Sequence, residues 1–269
     1  MSDLKETANT IRINCLKAIH AGRSGHPGGS LSIADMLAVL YFSEMNIDPA
    51  KPDWNERDRF VLSKGHACPS LYVALAQRGY FPMEKAMKLR KIDGFAEGHP
   101  DVRTPGIDAP SGSLGMGLSQ GLGMAMGARH QGLGFRTNVI LGDGDMQEGN
   151  TWEAIMSAGH KRMDSLVAIY DSNKLQGDAP VATQLNMGDV GAKVATFGWH
   201  VIYVDGHDTD ALQTALAEAR NSKGQPTFIV ADTIKGKGVS FMEGVLFWHG
   251  SVTMTDQQLA DAVKELENA

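Results

Sequence analysis

The sequence predicts an α/β protein built on a parallel sheet with helices on both faces. Short apolar runs rich in β-branched residues, among them "NVIL", "LVAIY", "HVIYV" and "TFIVAD", alternate with stretches of helical character. These runs are nearly continuous in apolar residues, as strands covered on both faces require. Polar, glycine-containing segments follow several of them. In an open parallel sheet, ligands bind outside the carboxyl ends of the strands.

Taken in order, residues 4–21 read as an amphipathic helix, with Leu4, Ile11, Leu16 and Ile19 among its apolar positions. "GRSGHPGGS" interrupts it, and residues 31–42 resume as a helix. The polar loop "DPAKPDWNERDR" leads into "FVLSKGHA", a short strand ending in a turn. "PSLYVALAQRG" is a helix closed by Gly79. A glycine-rich connection follows, then "LSQGLGMAMGARH", whose small residues allow close packing on a neighbour. Residues 139–141 form a strand, 152–162 a helix and 166–170 a strand. "HVIYV", "DALQTALAEARN" and "TFIVAD" add strand, helix and strand, and a polar helix begins near Thr255. No repeat or clear linker divides the chain, so residues 1–269 are expected to form one domain.

Composition narrows the function classes. Of 269 residues, 42% are hydrophobic and 21% charged, enough for a core without covalent staples. A formal charge of -6 argues against a general nucleic-acid or anionic-membrane binder. Local phosphate sites are still open to such a chain, through backbone N–H groups and a metal. No apolar run is long enough to span a membrane. "MSDLKETANTIR" is no signal peptide, and Cys15 and Cys68 are far apart, so a reduced, cytoplasmic chain is expected.

The stretch "NVILGDGDMQEGNTWEA" places Asp143 between two glycines at the end of an apolar strand. Gly142 and Gly144 let backbone approach a ligand closely. Gly-Asp-Gly by itself is more often a surface turn. One helix and one strand later comes Asn173, so the two side chains can face each other from adjacent strand ends. Aspartate and asparagine supply oxygen ligands only, which suits Mg²⁺ or Ca²⁺ completed by phosphate oxygens and water.

Gly-Asp-Gly followed at this distance by Asn resembles the diphosphate-binding signature of thiamine-diphosphate enzymes. "SGHPGGSLS", "DRFVLSKGHA", "GHPD…TPG…SGSLGMGLS", "GDGDMQEG", "DSNKLQ" and "KGKGVSFME…WHG" occur in the order seen in the N-terminal half of transketolases, over residues 24–250. The resemblance implies a thiamine-diphosphate-binding domain of the diphosphate (PP) type. It implies that Asp143, Asn173 and the backbone carbonyl of Leu175 bind the metal, and that Gly144 contacts the diphosphate. His66 and His249 would lie near the diphosphate. His26, His99 and His249 would face the sugar, binding hydroxyls and moving protons. Gly112, Ser113 and Leu114 would line the cofactor. Glu148 and Glu153, which could otherwise be favourable acids at a helix N-terminus, would sit between active sites. The remaining histidines, His207 among them, are left structural. Three positions depart from the family pattern: Met116 replaces a common glutamine, Gly177 an aliphatic residue and Ala179 a glycine.

The resemblance also implies what is missing. In transketolases a glutamate that activates the cofactor, and the groups that hold the substrate phosphate, belong to later pyrimidine-binding and C-terminal domains. A separate C-terminal subunit is therefore expected, in an α₂β₂ assembly, transferring a two-carbon ketol unit from a ketose phosphate to an aldose phosphate. Two alternatives stand beside this reading. One is the alpha subunit of a thiamine-dependent 2-oxo-acid dehydrogenase, which the histidines of "SGHPGG", "KGHA" and "WHG" disfavour. The other is a non-catalytic, cofactor-binding regulatory subunit.

Overall fold

Alternate residues along the central strands enter two different cores. Ile140, Val167, Ile169 and Ile229 join one, while Val139, Leu141, Ala168, Tyr170 and Phe228 join the other. A computed structural model describes residues 3–177 and 179–268; the ends of the expected domain, Met1 and Ala269, lie outside the described residues. In chain order the elements are α1 (Leu4–Gly22), α2 (Pro27–Leu31), α3 (Ala34–Val39), β1 (Arg59–Leu62), α4 (Cys68–Arg78), α5 (Met83–Ala86), α6 (Met116–Gln131), β2 (Thr137–Gly142), α7 (Gly149–His160), β3 (Leu166–Ser172), β4 (Leu175–Gln176), β5 (Ala179–Pro180), α8 (Val181–Gln184), α9 (Val190–Ala195), β6 (His200–Asp205), α10 (Thr209–Asn221), β7 (Thr227–Asp232) and α11 (Asp256–Glu267).

Among the described residues, five strands pair in parallel in the order β1-β2-β3-β7-β6. Residues of α1, α3, α4, α10 and α11 fill the core on one face, and residues of α6, α7 and α9 fill the core on the other. This is the expected parallel α/β sheet covered on both sides. Because all five strands run the same way, the segments after β1, β2, β3 and β7 gather along one edge.

Two elements differ in detail from expectation. The helix anticipated over residues 31–42 is broken. The α2 turn ends at Leu31, α3 starts at Ala34, and Leu40–Glu44 widens into a π-turn closed by Met45 N–H donating to the Leu40 carbonyl. The break leaves Ser32 free to aim its hydroxyl at Asp171 (2.8 Å). The small-residue helix α6 does pack closely, against β1 and β2. A Cβ added at Gly121 would lie 2.4 Å from Val139 Cγ2, and one at Gly117 would lie 2.5 Å from Ser63 Cβ. Thr255 caps α11 through a reciprocal bond pair with Gln258. No described helix is long and apolar enough to cross a membrane.

Candidate functional site

A cavity of about 120 Å³ opens at the carboxyl edge of the sheet, and Lys64, His66, Leu114, Asp143, Asn173 and Lys235 are among its lining residues. β2 and β3 are direct neighbours, and the register pairs Gly142 with Asp171. That pairing places Asp143 beside the start of the Asn173 segment, as the sequence spacing allowed. Asp143 accepts from the Lys174 backbone N–H (2.9 Å) and from the Tyr170 hydroxyl (2.6 Å). Burial, with only about 4% of the residue exposed, raises its carboxyl to about 6 despite those donors. The next acid, Asp145, is an anchor: it accepts from the N–H groups of Gly115 (2.8 Å) and Gly142 (2.9 Å) and from Ser63 (2.5 Å). It thereby ties the Gly112–Gly115 segment to the Gly-Asp-Gly turn.

Beneath the cavity lies a buried ion pair between Lys64 and Asp171. Asp171 also accepts from Ser32, from Thr233 and from the Asn173 side-chain amide (3.0 Å). Burial alone would raise this carboxyl, but Lys64 and these donors hold it below the usual range. With its amide nitrogen fixed on Asp171, Asn173 keeps its oxygen as an acceptor, 3.2 Å from the Leu175 N–H.

Lys235 enters from the segment after β7. Its ammonium donates to the Leu175 carbonyl (3.0 Å) and to His249 Nδ1 (2.6 Å). Burial and the nearby Lys64 lower it to about 8. Three imidazoles stand together at the rim, with ring centroids 5.2 Å apart for His26–His66, 5.4 Å for His66–His249 and 6.0 Å for His26–His249. Burial, then Arg90 for His26 and Lys235 for His249, lowers each of these two to about 4, and burial also depresses His66. All three are therefore neutral near pH 7, with ring nitrogens able to accept as well as donate. Arg90 approaches His26 Nδ1 (3.4 Å) and bonds Ser24 (2.6 Å).

The residues singled out in the sequence thus divide by place. Asp143, Gly144, Asn173, Leu175, His66, His249 and Leu114 line the cavity. His26 stands at its rim, His99 is exposed with its ring next to Gly112, and Ser113 is exposed. Glu148 and Glu153 are exposed at the start of α7, away from the cavity lining. Of the departures, Gly177 lines the cavity at positive φ (+54°), and Met116 is exposed at the start of α6. The sequence reading missed Lys64, Lys235, Asp171 and Arg90. Lys64, Asp171 and Lys235 all lie inside the quoted motifs, the first two within two residues of His66 and Asn173, so their place in the motifs could have flagged them.

The donor set fits a metal and a diphosphate. Asp143, Asn173 and the Leu175 carbonyl offer one carboxylate and two neutral oxygens to a hard cation. Among the described residues no cluster of three or more His, Cys, Asp or Glu could hold a metal, so such an ion needs further oxygens from phosphate or water. Lys64, Lys235 and the neutral histidines supply donors for an anion. The lining is also too tight for extra side chains. A Cβ at Gly144 would lie 2.8 Å from Leu114 Cδ1, and one at Gly29 would lie 3.3 Å from His66 Nε2. Gln176 Oε1, on the same lining, is buried without a hydrogen-bond partner. A wider groove of about 730 Å³ runs along β6 and β7, past Tyr203, His207 and Asp232. Asp143, Asp145, His66, Lys235 and His249, all with displaced acidities, line the smaller cavity, which favours that one as the chemical centre.

Comparison with known proteins agrees with this geometry. Residues 4–266 match the family model described as transketolase, thiamine diphosphate binding domain. The chain is 46% identical over 266 residues to the 6-deoxy-6-sulfo-D-fructose transketolase subunit SqwG of Clostridium sp. (strain MSTE9), covering 98% of this chain and 96% of that one. It is 36% identical to an apulose-4-phosphate transketolase subunit of Phocaeicola vulgatus, covering 98% and 93%. Mouse (Mus musculus) transketolase is 41% identical, over 92% of this chain but 39% of its own length. The solved transketolase of Leishmania mexicana superposes with a TM-score of 0.95 at 33% identity, over 99% of this chain and 42% of that one. The chain therefore spans nearly all of the two subunits and about two fifths of the single-chain enzymes.

Proposed function

The chain belongs to the transketolase family, in its thiamine-diphosphate-binding domain, and from that premise we propose that it is the N-terminal subunit of a two-chain transketolase. In this reading the chain is one PP domain, and a C-terminal subunit supplies the pyrimidine-binding domain and the substrate-phosphate site, in an α₂β₂ complex. The reaction moves a two-carbon ketol unit from a ketose phosphate to an aldose phosphate. The extent of the match to SqwG and to the apulose-4-phosphate enzyme's subunit supports a split enzyme. Both names specify an unusual sugar, so a specialised ketose is a reasonable substrate class for this chain.

The observation that carries the proposal is the convergence of Asp143, Asn173, the Leu175 carbonyl, Lys235 and His249 on one cavity. Asp143, Asn173 and Leu175 would hold Mg²⁺, with Ca²⁺ a substitute the same oxygens accept. Lys64 and Lys235 would balance phosphate charge, Gly144 would leave room for it, and Leu114 with Gly112 and Ser113 would line the cofactor. When bound, thiamine diphosphate supplies the carbanion chemistry that accepts and passes on the ketol unit. The chain's neutral histidines do the proton handling. His26 and His249 accept or donate at substrate hydroxyls, and His99 orients the sugar from the outer rim. Glu148 and Glu153, exposed at the start of α7, would sit between active sites in this assembly.

Calorimetry of the chain in complex with its C-terminal subunit, with thiamine diphosphate and Mg²⁺, tests this. Binding should be Mg²⁺-dependent, and Asp143→Ala should weaken it by roughly 10–100-fold or more, since even outer-shell changes around metals cost that much. Undiminished binding by Asp143→Ala would remove the proposed ligand set.

A further inference from the structure

We infer that His207 is a positioning residue for the active site: through a hydrogen bond to the Ile234 backbone it fixes the segment that delivers Lys235. This rests on the proposed diphosphate site, to which Lys235 belongs, and extends it to a residue well outside the cavity lining.

His207 sits in the turn between β6 and α10, with its own N–H bonded to the Asp205 side chain (2.8 Å). Its side chain is only 11% exposed. The Ile234 N–H donates to Nε2 (2.8 Å), so Nε2 must be the unprotonated nitrogen. The ring hydrogen therefore lies on Nδ1, which faces Asp35 Oδ2 at 2.8 Å. Asp35 is buried in α3 and ion-paired with Arg12 of α1, whose Nε also donates to the Leu31 carbonyl (3.3 Å). Two helices thus set the tautomer and direction of an imidazole, whose free lone pair takes one backbone N–H.

That N–H is well chosen. Sheet pairing of β7 ends with Asp232, opposite Ser172 and Asp205. Beyond it the segment is held by Thr233, bonded to Asp171 and through its N–H to the Ser172 carbonyl (3.3 Å), by Ile234 on His207, by the Gly244 N–H on the Lys235 carbonyl (2.9 Å), and by the Gly236 N–H on the Gly28 carbonyl (2.9 Å). Lys235 lies between Ile234 and Gly236, with its ammonium on Leu175 and His249. Losing the His207 bond loosens the Ile234 amide, one residue before Lys235, while the contacts at Thr233, at the Lys235 carbonyl and at Gly236 remain.

Two substitutions separate this role from a merely structural one. A glutamine amide reaches the place of Nε2, so His207→Gln can still accept from Ile234. An asparagine amide reaches the place of Nδ1, so His207→Asn keeps the Asp35 contact and loses Ile234. In the full cofactor-free chain, the Ile234 amide should exchange with solvent roughly tenfold faster in His207→Asn than in wild type, and near the wild-type rate in His207→Gln. Thiamine diphosphate with Mg²⁺ should bind His207→Asn roughly three- to tenfold more weakly, as for one lost hydrogen bond, with little change in His207→Gln. Equal Ile234 exchange in the two variants, or affinity losses that follow melting temperature rather than the Asn–Gln difference, would overturn the inference. Failure of the wild-type chain, together with its C-terminal subunit, to bind cofactor would count against the proposed function instead, and the amide exchange would still decide the role of His207.

Discussion

Lys64 and Asp171 are both almost completely buried, and each is the other's main counter-charge. Removing one member of such a pair strands the other, so Lys64→Met should cost about 3–5 kcal/mol in a urea titration. A loss well under about 1 kcal/mol would mean that Ser32, Thr233 and Asn173 satisfy Asp171 without it. The histidines give a second test at this scale. Both His26 and His249 are lowered from 6.5 to about 4, chiefly by burial. Below pH 6.5 the unfolded chain gains protons that the folded one refuses, so their contribution, present above 6.5, is lost as pH falls toward 4. Asp143, raised to about 6, acts in the opposite sense over part of this range. The useful comparison is therefore between proteins. The His26→Gln/His249→Gln variant should lose less melting temperature than wild type between pH 7 and 5. Equal slopes would show that these rings are not held neutral. Asp143 and Asn173 were legible because each follows a strand, and the two strands are successive in the chain as well as paired in the sheet. Lys64–Asp171 and His207–Ile234 join distant segments, and no local pattern announces which side chains will meet there.

At the scale of elements, α6 separates two kinds of glycine. Gly121 faces β2 and leaves no room for a Cβ, whereas nothing lies within 4 Å of one built at Gly123. Gly121→Ala should therefore destabilise the chain by about 1–3 kcal/mol through overpacking. Gly123→Ala should stabilise it by about 0.5–1 kcal/mol, since glycine is a poor residue inside a helix. Thermal melts of the two variants should move in opposite directions, and a shared direction would contradict the packing described. The sheet was readable because its strands carry continuous apolar runs and its helices a helical period. The broken helix after residue 31 was not, because apolar spacing is equally compatible with α- and π-turns. The break coincides with a tertiary contact that no local pattern announces: Ser32 donates to an aspartate on β3.

For the whole molecule, the parallel strand direction collects four chain segments at one edge, and this is why one cavity holds residues as distant as Lys64 and His249. The family was legible from six ordered motifs. Native mass spectrometry of the protein isolated gently from its own host, with Mg²⁺ and thiamine diphosphate present, tests the central claim most directly. The expected result is this 28.9 kDa chain in equal numbers with a second, transketolase-like chain, carrying one thiamine diphosphate and one Mg²⁺ per pair. A homo-oligomer of this chain alone, retaining neither cofactor nor metal, would contradict it.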